Sequence, residues 1–178
     1  MSDTTIPSLA ESRAAAAAIT PRTQLFIDGA FRDARGGERY VTENPATGQP
    51  LAEIAKGGPA DVDAAVAAAR RAADDGRWSR LNPGDRKRIL VHWADMLEEH
   101  GQEIGLLETL DAGKPITDTI GQDVPETATC IRWHAEATDK IYGQVAPSPE
   151  GSVATITREP VGVVDRLAVE FTIATADD

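Results

Sequence analysis

The pattern of apolar and polar residues divides the chain into an extended first part, a helical middle and an extended end. In the first part, short apolar segments flank Asp28-Gly29, a dipeptide typical of two-residue hairpin turns because both residues readily adopt positive φ. Further extended segments are predicted at residues 39–43 and 51–55, joined by a turn over residues 44–48. The first part therefore predicts β-hairpins.

The middle of the chain has the three-to-four-residue periodicity of amphipathic helices. Four helices are predicted, over residues 60–75, 83–100, 102–110 and 124–142. Asn82 is placed to cap the second of them, and Gly113 with Pro115 is expected to end the third. The apolar positions of each helix are expected to face a core.

The two ends of the chain are predicted to differ in character. Residues 1–22 are expected to be a flexible tail, in which only the alanine run at 14–18 favours a helix. Near the other end, strands are predicted, at residues 144–146, 152–158 and 161–164. The break over residues 147–151 turns the first two of these strands into a hairpin.

Charge and cysteine content exclude several functions. The chain has 18 Lys and Arg against 29 Asp and Glu, a net charge of −11, so it has no general attraction to nucleic acid or to anionic membranes. Its one cysteine excludes an intrachain disulfide and a multi-cysteine zinc site. The acidic start lacks the basic region of a signal peptide, so we expect a cytoplasmic protein with no membrane or nucleic-acid partner.

Three residues on the fourth predicted helix could carry chemistry. Glu126, Cys130 and His134 are spaced four residues apart and so form a line along one helix face. One interpretation is a thiolate–imidazole pair or half of a metal site. The alternative is a semi-buried cysteine beside a surface histidine and glutamate, and we expect this alternative because such short motifs are common by chance.

Asp111 stands out because the end of the third predicted helix disfavours an anion, by about 0.3–1 kcal/mol. In the simpler interpretation, Lys114 or solvent compensates the charge. In the other, a bound cation uses the carboxylate together with nearby carbonyl oxygens. The sequence does not decide between them.

Several segments follow one another in a recognisable order: residues 25–29 (LFIDG), 43–48 (ENPATG), 61–70 (DVDAAVAAAR), 107–115 (LETLDAGKP) and 158–164 (REPVGVV). This order resembles the N-terminal part of the NAD(P)-dependent aldehyde dehydrogenase superfamily. Residues 131–143 are similar to its γ-glutamyl-γ-aminobutyraldehyde dehydrogenase branch. The resemblance runs from about residue 24 to residue 164 and is carried by several motifs rather than one.

The resemblance implies an α/β fold, of which this chain holds the β-hairpins, about four helices and the start of an oligomerisation hairpin. It also implies oxidation of an aldehyde to a carboxylate with NAD or NADP as cofactor. After Val164 the chain departs from the family pattern, and no position matches its cofactor glycines, general-base Glu or nucleophilic Cys. We therefore expect the Rossmann-type core to be largely missing, and the chain alone to bind no dinucleotide and to be inactive.

The resemblance further implies a partner surface and a cation site. Residues 143–158 match the hairpin that pairs across subunits, so self-association or docking on full-length subunits is expected. A non-catalytic interaction module is the alternative function. The family's monovalent cation site matches the carbonyls of Thr42 and Glu43 and the carboxylate of Asp111.

Four segments are expected in chain order. They are a flexible tail, an aldehyde-dehydrogenase-like region, an oligomerisation-type hairpin with the following strand, and a divergent tail, over residues 1–22, 23–142, 143–164 and 165–178.

Overall fold

The structure, a computed structural model, describes residues 5–164. The predicted divergent tail, residues 165–178, lies outside these described residues. Strands β1 (Leu25–Ile27) and β2 (Ala30–Arg32) form the predicted hairpin. Asp28 and Gly29 have φ values of 55° and 75°, so the turn is of the type that the dipeptide indicates.

The second hairpin consists of β3 (Arg39–Asn44) and β4 (Gln49–Ala55). The side chain of Asn44 accepts a hydrogen bond from the backbone N–H of Ala46, which closes the predicted turn. The strand register shifts between Thr42 and Glu43, a local irregularity of the bulge type.

The expected tail contains a helix, α1 (Leu9–Ala18), so the prediction of a tail over residues 1–22 missed an ordered element. Ser8 and Glu11 form a capping box, in which Ser8 Oγ accepts the N–H of Glu11 and the Glu11 carboxylate accepts the N–H of Ser8. This box starts the helix five residues before the alanine run that favoured it. Helix α1 packs against the later helix α4.

Helices α2 (Pro59–Asp74) and α3 (Pro83–Glu99) form as the periodicity predicts, with Asn82 capping α3 through the N–H of Asp85. Their expected apolar faces are only partly covered by the described residues. Exposed fractions are 56% for Val62, 46% for Val66 and 52% for Trp93. Residues 5–164 therefore do not contain the surfaces against which these apolar faces would be expected to pack.

The core lies among α3, α4 (Gly101–Ala112) and α6 (Val124–Ala137), with the short α5 (Ile116–Asp118) and a π-helical turn (Thr119–Asp123) between the last two. Its most buried side chains come from small or branched residues. They are Ala94, Thr119, Ile120, Ala128 and Ala135.

The chain beyond α6 differs from prediction in three places. Helix α6 ends at Ala137 rather than residue 142. Beyond Ala137, the N–H groups of Thr138 and Lys140 donate to carbonyls three residues back, in place of the four-residue spacing of an α-helix. Strands β5 (Gln144–Ala146) and β6 (Ala154–Ile156) pair as a hairpin, but β6 is shorter than residues 152–158. Residues 161–164 form no strand, since no neighbouring strand is present among residues 5–164 to pair with them.

All strand pairs in the described part of the chain are antiparallel hairpins, which form three separate two-stranded sheets. No helix within residues 5–164 is both long and apolar enough to cross a membrane.

Candidate functional site

The structure brings together two of the three residues expected at the cation site. Thr42, near the end of β3, and Asp111, in the last turn of α4, are 69 positions apart in the sequence. The hydroxyl of Thr42 donates a hydrogen bond to Oδ1 of Asp111 across 2.9 Å. The end of the second hairpin therefore lies beside the C-terminal end of α4.

Two backbone features hold this arrangement. Gly113 ends α4 in the left-handed conformation, with a φ of 79°, and its N–H donates to the carbonyl of Thr109. Pro45, in the turn of the second hairpin, lies so close that a Cβ on Gly113 would come within 2.8 Å of the proline ring. Glycine is thus required at this position both by its φ and by the docking of the turn.

Lys114 does not pair with Asp111, so of the simpler interpretation only compensation by solvent remains, and Asp111 is exposed. The Nζ atom of Lys114 lies 2.5 Å from Asp123 and 3.9 Å from Glu108, and the bond to Asp123 raises the pKa of Lys114. No basic residue lies in the last turn of α4. Among the described residues, the hydrogen-bond partner of the Asp111 carboxylate is therefore a neutral hydroxyl, and no side chain of opposite charge pairs with it.

This junction contains some, but not all, of the oxygen ligands expected for a small hard cation. Carboxylate, hydroxyl and carbonyl oxygens are the donors that such ions prefer. The observed contact, however, uses the hydroxyl of Thr42 and not its carbonyl, and no hydrogen bond joins Glu43 to Asp111 among residues 5–164. That part of the chain also contains no group of three His, Cys, Asp or Glu side chains able to hold a metal. The convergence of three oxygens on a monovalent ion stays a prediction.

The Cys130–His134 pair has a geometry that argues against an activated thiolate. Nδ1 of His134 lies 2.8 Å from the backbone carbonyl of Cys130, and 3.7 Å from its Sγ. Because a carbonyl can only accept, a hydrogen bond between these two atoms requires the tautomer with the proton on Nδ1, in which Nδ1 cannot take a proton from the thiol. Cys130 is exposed rather than semi-buried as expected. Glu126 makes no hydrogen bond to either residue within the described chain.

A charged cluster between α3 and α6 was not predicted from the sequence. Arg132 donates to both carboxylate oxygens of Glu98, at 2.7 and 2.6 Å, and to Asp95 at 2.6 Å. These bonds lower the pKa of Glu98 and raise that of Arg132. The cluster is structural, and its residues lie too far apart in sequence for spacing to indicate it.

Comparison with known proteins places the chain in a family. Residues 31–168 match the aldehyde dehydrogenase family. An aminoacetaldehyde dehydrogenase of Pseudomonas aeruginosa is 47% identical over 161 residues, which cover 90% of this chain and 32% of that protein.

Solved structures agree with this similarity. A γ-glutamyl-γ-aminobutyraldehyde dehydrogenase of Burkholderia cenocepacia is 52% identical, with a TM-score of 0.85 over 88% of this chain and 32% of that one. An indole-3-acetaldehyde dehydrogenase of P. syringae, solved in complex with NAD⁺, is 41% identical, with a TM-score of 0.83 over 86% of this chain and 31% of that one.

The chain spans about a third of the length of these relatives. Its mixture of helices and small sheets matches the N-terminal part of their fold, as the resemblance of the motifs implied. The match to the family extends over more than three quarters of the residues, from the first hairpin to the end of the described chain. This chain belongs to the aldehyde dehydrogenase family.

Proposed function

We propose that this chain supplies the N-terminal part of an NAD(P)-dependent aldehyde dehydrogenase, and that its 178 residues do not oxidise an aldehyde by themselves. The observation that carries the proposal is the similarity in fold to an aldehyde dehydrogenase over 88% of the chain, at 52% identity. The cytoplasm is the location we propose for it.

The reaction proposed for the whole protein converts an aldehyde, water and NAD(P)⁺ into a carboxylate, NAD(P)H and two protons. When bound, the dinucleotide supplies the hydride acceptor. The described residues do not fit this cofactor. They form antiparallel hairpins and helices, without the parallel strand, glycine-rich turn and helix that receive a pyrophosphate. We therefore assign the cofactor to the whole protein and no binding role to residues 5–164.

The substrate that we propose is γ-glutamyl-γ-aminobutyraldehyde. It is supported by the name of the Burkholderia cenocepacia enzyme and by the similarity of residues 131–143 to that branch. The Pseudomonas aeruginosa relative is named for aminoacetaldehyde, another aldehyde with a nitrogen-bearing chain.

We propose that Thr42, Glu43 and Asp111 bind a monovalent cation. Support comes from the docking of the second hairpin on the end of α4, and from the carboxylate there, which has no ion-pair partner among residues 5–164. The ion's role would be structural, since it would join a strand to a helix that are distant in the sequence.

A second candidate function is a non-catalytic module that associates with full-length subunits or with itself. The specific observation is the hairpin of β5 and β6, on which Val145 and Val153 are 74% and 79% exposed. A two-stranded ribbon is marginal by itself and is stabilised by pairing with another sheet edge. Its partner in this proposal is the same hairpin, or the matching edge, of another subunit.

The main proposal is tested with the purified 178-residue chain, γ-glutamyl-γ-aminobutyraldehyde and either NAD⁺ or NADP⁺. We expect no reduced cofactor to form and no binding of either dinucleotide by calorimetry. Turnover, or a micromolar dinucleotide site, would overturn the proposal.

The second candidate function is tested by adding the purified Burkholderia cenocepacia enzyme to the chain. Sedimentation then shows whether the chain enters the oligomer of that enzyme.

A further inference from the structure

A groove of about 630 Å³ lies between α1 and the helices beneath it. Its walls are Ala15 and Ala18 on one side, and Leu106, Ile116 and Ile120 on the other. A volume of this size lies within the range of small-molecule sites, which are usually lined by apolar side chains with a few polar groups. We infer that this groove binds a primary alkylammonium ion, with the alkyl chain inside and the charge at the rim.

The groove exists because of the composition of α1. Its inner face presents alanines, whose single methyl groups are too short to fill the space above Leu106 and Ile120. Both of these residues are largely buried, so the floor of the groove is a fixed part of the core. The segment that leads into α1 is joined to α4 by the hydrogen bond from Gln102 to the carbonyl of Thr5, and α1 itself packs against α4.

The charged residues at the rim select the sign of the ligand. They are Glu11 and Glu103, one from each wall, and no Lys or Arg lines the groove. Hydrogen bonds from Ser8 lower the pKa of Glu11, which keeps its carboxylate ionised at neutral pH. Glu103 has no hydrogen-bond or ion-pair partner among residues 5–164. A cation would therefore gain from both carboxylates, and a carboxylate ligand would be repelled.

The combination of apolar walls and an anionic rim defines the class of ligand. An alkylammonium ion can bury its carbon chain against the branched side chains and keep its –NH₃⁺ group at the solvent edge. The corresponding alcohol has the same apolar body without the charge. The corresponding fatty acid has the opposite charge.

The inference is tested by isothermal titration calorimetry, in which the full chain is titrated separately with n-hexylamine, 1-hexanol and hexanoate. We expect saturable binding of hexylamine, about two- to fivefold tighter than that of hexanol because the ion pairs are exposed, and binding of hexanoate that is weaker than that of hexanol by a similar factor. Equal affinity for the three compounds, or no saturable binding of hexylamine, overturns it.

Variants test the location. Ala15→Trp should fill the groove and abolish hexylamine binding, whereas Ala17→Trp, on the same helix outside the groove, should leave it unchanged. If Ala15→Trp loses its helical circular dichroism, Ala18→Trp serves as a second variant in which a large side chain fills the groove. Glu103→Gln should reduce the preference for hexylamine over hexanol, whereas Glu99→Gln, outside the groove, should leave the preference unchanged. Binding that survives both filled-groove variants overturns the location.

Discussion

The Thr42 hydroxyl donates a hydrogen bond to the Asp111 carboxylate, and this contact joins the second hairpin to the end of α4 across 69 positions of sequence. Around it, Pro45 lies against Gly113, so a strand end, a turn and a helix end meet at one place. The carboxylate at this place has a hydroxyl partner and no cation within the described chain. An ion bound at this carboxylate would therefore be expected to stabilise the contact between the hairpin and the helix.

Asp111→Asn tests whether the junction binds a monovalent ion. We expect the native chain to be more stable in KCl or NaCl than in choline chloride of equal ionic strength, by about 1–3 kcal/mol when the ion is well above its Kd. Asp111→Asn should abolish this difference in thermal midpoint. Asp118→Asn removes an exposed charge nearby and should preserve it. A salt-specific difference that is unchanged in Asp111→Asn excludes the site.

Gly105→Ala tests the close packing of α4 on the π-helical turn. A Cβ at Gly105 would lie 2.6 Å from Cγ1 of Ile120 and 3.1 Å from its backbone nitrogen, so the turn must move to admit it. We expect a loss of about 1–3 kcal/mol in the free energy of unfolding, measured in urea. In the matched variant Gly121→Ala the nearest atom is Ile6 Cδ1 at 3.5 Å, an ordinary contact, and little change is expected. Equal effects of the two variants would show that α4 and the turn are not packed as described.

Asp61 gives the chain a pH-dependent contribution to stability. The Asp61 side chain is buried and accepts backbone N–H groups of Gly58 and Arg35, at 3.0 and 3.1 Å. The bond from Gly58, followed by that from Arg35, lowers the pKa of Asp61 below its ordinary value near 4. A lowered folded-state pKa contributes stability above the unfolded pKa, and this contribution is lost as the pH falls through the folded value.

The expected result for Asp61→Asn is a lower urea midpoint at pH 7 and a smaller further loss on acidification than in the native chain. Urea unfolding between about pH 7 and pH 3 measures both. Asp63→Asn, an exposed position on the same helix, is the control and should follow the native curve. A native-like pH curve for Asp61→Asn would mean that the carboxylate does not hold these N–H groups.

Association through the hairpin of β5 and β6 is tested by adding charge to its apolar residues. We expect the native chain to self-associate in sedimentation velocity experiments, and Val145→Lys with Val153→Lys to weaken association by about tenfold or more. Val41→Lys with Val62→Lys adds the same two charges at exposed positions of β3 and α2, and should leave association unchanged. A native chain that sediments as a monomer at all concentrations contradicts the proposal.

Local chemistry allowed much of the fold to be predicted from the sequence. Asp28-Gly29 specified the first hairpin turn, and Asn82 with Pro83 specified the start of α3, because a turn or cap depends on adjacent residues. The alanine run at 14–18 does not indicate where α1 begins, whereas Ser8 and Glu11 carry a capping-box signal that does.

Other features depend on contacts between distant residues, and sequence periodicity does not record these. The strand expected at 161–164 is absent because pairing requires a neighbouring strand, which residues 5–164 do not provide. At the candidate site, the motif resemblance pointed to Thr42 and Asp111. It did not indicate that their contact uses the hydroxyl, since this depends on how two segments 69 positions apart meet in the fold.

The central claim is that these residues act as the N-terminal part of an aldehyde dehydrogenase, and a chimaera tests it most directly. Residues 24–164 of this chain replace the matching segment of the Burkholderia cenocepacia enzyme, with which the chain is 52% identical. The measurement is the rate of NADH formation from γ-glutamyl-γ-aminobutyraldehyde. We predict kcat/KM within about tenfold of the parent enzyme, a loss of less than roughly 1.4 kcal/mol in transition-state stabilisation. A folded chimaera with the parent's oligomeric state but no NADH formation would contradict the account.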